Sequence, residues 1–167
     1  MTSNEQSGSK TLAGRQLIGL SAALLSSDAS PLNRLIQIQQ LSPAALAYIG
    51  DAVYELYVRT HYLLPPKKLH TYHEQVVAQV RAESQARHLQ SLQPHLTEAE
   101  SDLIRRGRNA ASKRQKRVNA EIYQQATGLE TLLGYLYLCD PERLVELLGQ
   151  LQLMSEETTE AMPASPV

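Results

Sequence analysis

At 167 residues, 43% of them hydrophobic, the chain has the length of one domain and enough apolar side chains for a core of its own. Its 16 basic and 17 acidic residues nearly cancel, so any attraction to nucleic acid must come from a local patch and not from the net charge of −1. The single cysteine, Cys139, excludes an internal disulfide and a cysteine-rich zinc site, and it predicts a reducing compartment, the cytoplasm.

The two ends of the chain are predicted to be tails. Residues 1–28 begin with a polar run and continue into an apolar stretch, 17–25, that is too short to span a membrane. Residues 155–167 are acidic and then rich in proline. We therefore expect one folded domain, residues 29–154, between two disordered tails, and no membrane association.

Helical periodicity recurs between the tails, without convincing strand alternation, so the predicted fold class is all-α. Capping signals stand at Ser30, Ser42 and Asp140, each followed by proline, and at Thr97, which has a glutamate three residues on. We expect Gly107 to end the short helix that begins there, and His88 to face solvent. The predicted helices run over about 31–40, 42–62, 67–92, 97–107, 120–138 and 141–151.

The second predicted helix is apolar on almost every side but carries a carboxylate, Asp51, at its middle. A helix that is apolar all round is buried on both sides, where a carboxylate is costly unless it is paired, hydrogen-bonded or bound to a metal. Asp51 is predicted to lie opposite the core stripe. At about 100° per residue, that stripe contains Leu46, Ile49, Val53, Leu56 and Tyr57.

Glu130 has the same setting in the 120–138 helix. If the two helices pack face to face, Asp51 and Glu130 could meet on Mg²⁺, which takes oxygen ligands and keeps several waters. Asn119 and Thr127 share the face of Glu130 and could position a water there as auxiliary residues. The alternative for the two acids is that each pairs with an arginine or lies at an exposed edge. The alternative for Asn119 is that it only caps the N-terminus of the helix.

Residues 105–117 carry seven cations and no acid. Such a cluster binds phosphates and releases counterions without reading base sequence. The alternative is a solvated surface without a ligand. Small residues within the cluster predict a loop. The candidate RNA-binding residues are Arg105, Arg106, Arg108, Asn109, Lys113, Arg114, Lys116 and Arg117.

Other kinds of site are excluded by their missing patterns. The five histidines lack the spacing of a zinc site, and there is no Walker loop, dinucleotide fingerprint or nucleophile elbow. ATP and nicotinamide chemistry are therefore not expected.

Three motifs, in this order and spacing, resemble the ribonuclease III family. They are Tyr48-Ile-Gly-Asp-Ala-Val-Tyr54, Arg106-Gly-Arg-Asn-Ala110 and Thr127-Gly-Leu-Glu-Thr-Leu-Leu-Gly-Tyr-Leu-Tyr-Leu138. The resemblance spans about residues 31–153 and is to the compact branch, Mini-ribonuclease III. It implies an all-α domain that forms a homodimer and cleaves double-stranded RNA to give 5′ phosphates. It also implies that Asp51 and Glu130 are the catalytic residues and the Mg²⁺ ligands.

The chain departs from the full-length members of that family at three acidic positions. Ala44 and Ala47 stand where those members have glutamates, and Thr127 stands where they have an aspartate. Some compact members carry an acid near the position of Asn119. The resemblance therefore implies a sparse acidic shell, with the number of metal ions left open.

Full-length members also have a double-stranded RNA-binding domain. The stretch after the last predicted helix is too short for one, so we expect no such domain here. RNA binding is then expected from residues 105–117, by shape and phosphate contacts. Compact members mature the large-subunit (23S-type) ribosomal RNA precursor, which is the substrate that the resemblance implies, with a ribosomal protein as an open second partner. The alternative function is a non-catalytic helical RNA- or ribosome-binding module.

Overall fold

The computed structural model describes residues 30–111 and 120–153. Within these residues there are helices and one 3-10 turn, Gln93–His95, but no strand, so the all-α prediction is confirmed. None of the helices in these two ranges has the length and apolarity needed to cross a membrane. The helices are α1 Pro31–Gln39, α2 Pro43–Tyr62, α3 Leu69–Val80, α4 Ala82–Leu92, α5 Glu98–Ala111, α6 Ala120–Cys139 and α7 Pro141–Leu148.

The predicted helix caps are present. Ser30, Ser42 and Asp140 each accept a hydrogen bond from the backbone N–H three residues on, at 3.3, 3.1 and 3.0 Å. At the start of α5, Thr97 N–H donates to the Glu100 carboxylate at 2.8 Å, and Glu100 N–H donates to the Thr97 hydroxyl at 3.2 Å. These four helix starts are therefore set by local hydrogen bonds, which is why the sequence predicts them.

Helix α6 lies at the centre of the domain and packs against α2, α4 and α5. Two glycines make its contact with α2 unusually close. A Cβ on Gly50 would overlap the carbonyl oxygen of Glu130, and a Cβ on Gly134 would overlap that of Leu46. The absence of side chains at these two positions lets the two backbones touch. The centre of the core is formed by Leu129, Leu132 and Leu133, all fully buried.

The predicted core stripe of α2 is wrong at two positions. Ile49 and Leu56 are 38% and 62% exposed. The close approach at Gly50 turns that side of α2 toward α6, so Ile49 and Leu56 face outward. Apart from Ala47, the buried residues instead recur every four positions, at Leu46, Gly50, Tyr54, Val58 and Tyr62.

The single helix predicted over residues 67–92 is also wrong, because the chain breaks between α3 and α4. Arg81 is extended there, with φ −67° and ψ 150°. The Ser84 hydroxyl and the Gln85 amide donate to the carbonyls of Ala78 and Val80, at 2.7 and 3.4 Å. These side chains satisfy carbonyls that the break leaves without helical partners.

His88 and Gly107 differ from their predictions as well. His88 is buried, and its Nδ1 lies 2.8 Å from the Tyr54 hydroxyl. Gly107 does not end α5, which continues to Ala111. A Cβ at Gly107 would overlap the Thr131 side chain of α6, so this glycine serves a helix contact and not a cap. Residues 105–111 are consequently helical and not the predicted loop.

Candidate active site

A cleft of about 400 Å³ opens between α2, the last turn of α5 and the first half of α6. Asp51 and Glu130 both line it, and Thr127 stands beside them. The structure therefore brings together the two carboxylates that the sequence places on separate helices. The remaining walls are formed by Ala44, Ala47, Tyr48, Ala110, Ala111 and Tyr123.

The glycine contact between α2 and α6 explains this convergence. Gly50 immediately precedes Asp51, and its backbone lies against the backbone of Glu130 itself. An alanine at position 50 would push the two helices apart at the point where the carboxylates meet. The separation of the two acids is thus set by direct backbone contact and not by flexible side chains.

The two carboxylates meet different environments. Glu130 is half-buried, and its pKa is raised to about 7 by burial first and by the negative charge of Asp51 second, while a hydrogen bond from Gln85 acts in the opposite direction. Asp51 is exposed, so the prediction that its helix is buried on both sides is wrong. Its pKa is nevertheless raised by partial burial and by nearby Glu55. Neither acid has a cationic partner among the ion pairs of residues 30–111 and 120–153.

The donor set in the cleft fits a hard divalent cation. Two carboxylates and the Thr127 hydroxyl offer oxygen only, which Mg²⁺ prefers, and Mg²⁺ keeps enough waters that two protein acids can hold it. A cation would also offset the repulsion between Asp51 and Glu130. Within the described ranges, no three His, Cys, Asp or Glu side chains cluster as a metal site. Ala44 and Ala47 in the cleft wall account for the sparse shell.

The cations of α5 do not line this cleft. Arg105 pairs with Asp102 at 2.9 Å, and Arg105 and Arg106 line a second cleft beside Tyr135. Arg108 lies against Gly128. These arginines nonetheless share α5 with the two alanines that reach the acidic cleft. Asn109 is exposed on the same helix. Five other predicted site residues lie outside the described residues: Lys113, Arg114, Lys116, Arg117 and Asn119.

Three residues at or beside the site are missing from the sequence prediction. Tyr48 and Tyr123 form cleft walls and are 82% and 44% exposed. Their positions could have identified them, because Tyr48 is three residues before Asp51 and Tyr123 is seven residues before Glu130, on the same helix faces. Gln85 is buried, and a hydrogen bond from it acts to lower the pKa of Glu130. Its position could have identified it as buried, because this amide side chain is four residues before Leu89, in the apolar stripe of α4.

Comparisons with known proteins agree with the geometry. Residues 44–141, which include Asp51 and Glu130, match the Ribonuclease III domain. The chain is 60% identical to the Mini-ribonuclease 3 of Synechocystis sp. over 116 residues, which cover 70% of this chain and 81% of the relative. It is 36% identical to the Mini-ribonuclease 3 of Clostridium tetani over 127 residues, 74% of this chain and 84% of the relative.

The fold is also similar to that of a Fusobacterium nucleatum protein solved by X-ray crystallography. The TM-score is 0.59 at 28% sequence identity, over 65% of this chain and 89% of that chain. The helical arrangement of most of the chain therefore has a counterpart in a crystal structure.

Proposed function

Because the chain belongs to the ribonuclease III family, in its compact Mini-ribonuclease III branch, and is an endoribonuclease, we propose that it cleaves double-stranded RNA in a Mg²⁺-dependent reaction. The observation that carries this proposal is the cleft in which Asp51 and Glu130 meet without a cationic partner among the described residues. Holding two carboxylates together without a cation costs electrostatic free energy, and groups held in this way are typical of functional sites. We assign the cleavage chemistry to them.

Asp51 and Glu130 would hold the cation. The chemistry that a divalent cation would supply there is polarisation of the phosphodiester and activation of a water. In-line attack by that water on the phosphorus would release the 3′ oxygen as a hydroxyl and give a 5′ phosphate. Asp51 stands at the exposed side of the cleft, toward the substrate, whereas Glu130 lies deeper and is held by its helix contact. The alanines at positions 44, 47, 110 and 111 leave the room that a nucleic-acid backbone needs.

RNA binding is assigned to the cations at residues 105–117. The exposed arginines of α5 lie one to two turns before the alanines that enter the cleft, so phosphates bound to them would be near the two acids. Lysine and arginine bind A-form RNA by shape and phosphate contacts and not by base identity. The duplex itself, and not a sequence motif, is then the main feature recognised.

A homodimer is supported by an apolar surface on α2. Tyr48, Ile49 and Leu56 are 82%, 38% and 62% exposed. Exposed apolar patches mark association sites. A two-fold contact between two copies would give two active sites related by a two-fold axis, as the two strands of a duplex are. Leu56→Glu should convert a dimer to a monomer in analytical ultracentrifugation. Thr71→Glu, which adds the same charge at an exposed position of α3, should not.

The substrate that we propose is the large-subunit (23S-type) ribosomal RNA precursor, processed in the cytoplasm. The support is the likeness to relatives named Mini-ribonuclease 3. Cells without the protein are expected to accumulate precursor with unprocessed ends, which primer extension would measure. Cleavage of the isolated precursor, with and without bound large-subunit ribosomal proteins, tests whether one of them is a partner.

Incubation of the purified full chain with duplex RNA tests the proposed function. With Mg²⁺ we expect cleavage to fragments with 5′ phosphates, no cleavage in EDTA, and much slower cleavage of the same strands when single. Equal cleavage in EDTA would contradict the metal assignment. Equal cleavage of single strands would contradict the substrate assignment.

A further inference from the structure

The acidic cleft has few side chains that can donate a hydrogen bond. Its lining residues, within the described part of the chain, are four alanines, two acids and three residues with a hydroxyl, namely Tyr48, Tyr123 and Thr127. An ionised carboxylate only accepts hydrogen bonds, and an alanine side chain makes none. Donation from side chains to a substrate in the cleft therefore depends on these three hydroxyls.

Two of the three hydroxyls already have a place in the site or the dimer. Thr127 is one turn before Glu130 and belongs to the oxygen donors that fit a cation. Tyr48 is 82% exposed and lies on the apolar surface of α2 that we assign to the homodimer. Tyr123 has neither role, and its hydroxyl has no hydrogen-bond partner among residues 30–111 and 120–153.

Tyr123 is held on the same helix as Glu130. It lies two turns before that carboxylate on one face of α6, about 10 Å away along the helix axis. Its side chain is 44% exposed, so the phenol is partly packed and partly open to the cleft. Because α6 is the central helix of the domain, packed against α2, α4 and α5, the spacing between Tyr123 and Glu130 is set by a rigid element.

Duplex RNA differs from duplex DNA by the 2′-hydroxyl on each ribose. The cations at residues 105–117 contact phosphates, which both kinds of duplex carry. A contact to the 2′-hydroxyl is what allows a protein to distinguish RNA from DNA at a given site. A phenol suits this contact, because it can both donate and accept a hydrogen bond, as the 2′-hydroxyl can, and it adds no charge beside the two acids.

We propose that Tyr123 is a specificity-determining residue: its hydroxyl bonds to the 2′-hydroxyl of one nucleotide next to the cleaved bond, so that the cleft selects RNA over DNA. This inference rests on the proposed function, because it assigns Tyr123 to the cleft that cleaves the duplex. Tyr123 contacts the substrate and not the cation. Loss of its hydroxyl therefore removes one hydrogen bond to RNA and leaves Asp51 and Glu130 in place.

The test removes the two partners of this hydrogen bond separately and together. Tyr123→Phe removes the protein hydroxyl and keeps the ring. Duplex RNAs with a single 2′-deoxynucleotide, placed in turn at each position around a mapped cleavage site, remove the substrate hydroxyl. Tyr48→Phe is the matched control, because it removes the hydroxyl of the other tyrosine in the cleft. Single-turnover cleavage with Mg²⁺ is measured for each combination on the full chain, with circular dichroism as the check of folding.

At one position we expect the 2′-deoxynucleotide to slow the wild type about 3- to 10-fold, the effect of one hydrogen bond between neutral groups. Tyr123→Phe should slow cleavage of the all-RNA duplex by a similar factor, and it should be insensitive to the deoxynucleotide at that position alone. Tyr48→Phe should respond to each deoxynucleotide as the wild type does. Mn²⁺ affinity without RNA should be equal in all three proteins.

The outcomes separate this inference from the proposed function. If the wild type cleaves duplex RNA and Tyr123→Phe keeps the wild-type response at every position, the inference is wrong and the proposed function stands. Loss of the response in Tyr48→Phe instead would also contradict the inference. If the wild type does not cleave duplex RNA with Mg²⁺, the proposed function is wrong and the role of Tyr123 falls with it.

Discussion

Two glutamates on neighbouring helices of this domain are treated in opposite ways. Glu100 of α5 is buried and receives two hydrogen bonds from the Arg143 guanidinium, at 2.8 and 3.0 Å, and this partner lowers its pKa. Glu130 of α6 is half-buried beside another acid, and its pKa is raised to about 7. The fold can thus pair a carboxylate with a cation where the carboxylate contributes to stability. At Glu130 it holds one beside a like charge, which is what we expect of the cation-binding site that we propose.

The largest expected effect separates the two glutamates by activity. Asp51→Asn and Glu130→Gln should each lower duplex RNA cleavage by about a thousandfold or more, because the cation loses one of two protein acids. Gel-shift affinity in EDTA should be retained. Glu100→Gln is the control and should keep the rate per folded molecule. Near-wild-type cleavage by either site variant would end the assignment.

The second effect separates them by stability. Arg143 also donates to the His95 carbonyl at 2.6 Å, so its pair with Glu100 connects α7 to the start of α5. Breaking a largely buried pair leaves one charge without its partner, so Arg143→Met should lower the free energy of unfolding by about 2–4 kcal/mol. Urea titration measures this. A change below about 0.5 kcal/mol would show that the pair behaves as an exposed one.

The third effect has the opposite sign and depends on pH. The pKa of Glu130 is about 7 in the folded protein against an ordinary 4.5, so the folded state binds more protons between these values and loses stability as pH rises through them. Glu130→Gln removes this loss. Without divalent cations, the variant should be more stable than the wild type by about 2 kcal/mol at pH 8, with little difference near pH 4. Lower stability of the variant at pH 8 would contradict the raised pKa.

The smallest effect concerns the cationic segment and not the acids. Replacing Lys113, Arg114, Lys116 and Arg117 by alanine should weaken duplex binding about tenfold and reduce its salt dependence, because fewer counterions are released. Lys68→Ala, at the exposed start of α3, should change neither quantity. An unchanged salt slope in the fourfold variant would mean that the segment is only a solvated surface.

The features that the sequence could predict are those that depend on residues close together in the chain. The caps at Ser42 and Asp140 depend on bonds within three residues, and both are confirmed. Asp51 and Glu130 stood out because each is a charge in an apolar helix, and the structure places them in one cleft. The placement of Asp51 on the exposed side was not predictable in this way, because it depends on which face of α2 packs.

The errors arise from contacts between helices. Gly107 was predicted to end a helix and Gly50 carried no prediction of its own, yet a side chain at either position would overlap atoms of α6. The same close contacts decide which face of α2 is buried. The break at Arg81 carries no proline or glycine, and the side chains of Ser84 and Gln85 that stabilise it act across the turn. Such features depend on tertiary packing and have no local signal.

The central claim is that Asp51 and Glu130 are held together to bind a divalent cation, and thermal unfolding at pH 8 tests it most directly. A ligand that binds only the folded state at about ten times its dissociation constant adds roughly 1.4 kcal/mol of stability, or about 3–6 °C in a domain of this size. Mg²⁺ should raise the midpoint of the wild type and of Glu100→Gln by this amount and leave Asp51→Asn unchanged. An equal rise in Asp51→Asn would place the cation elsewhere and contradict the claim.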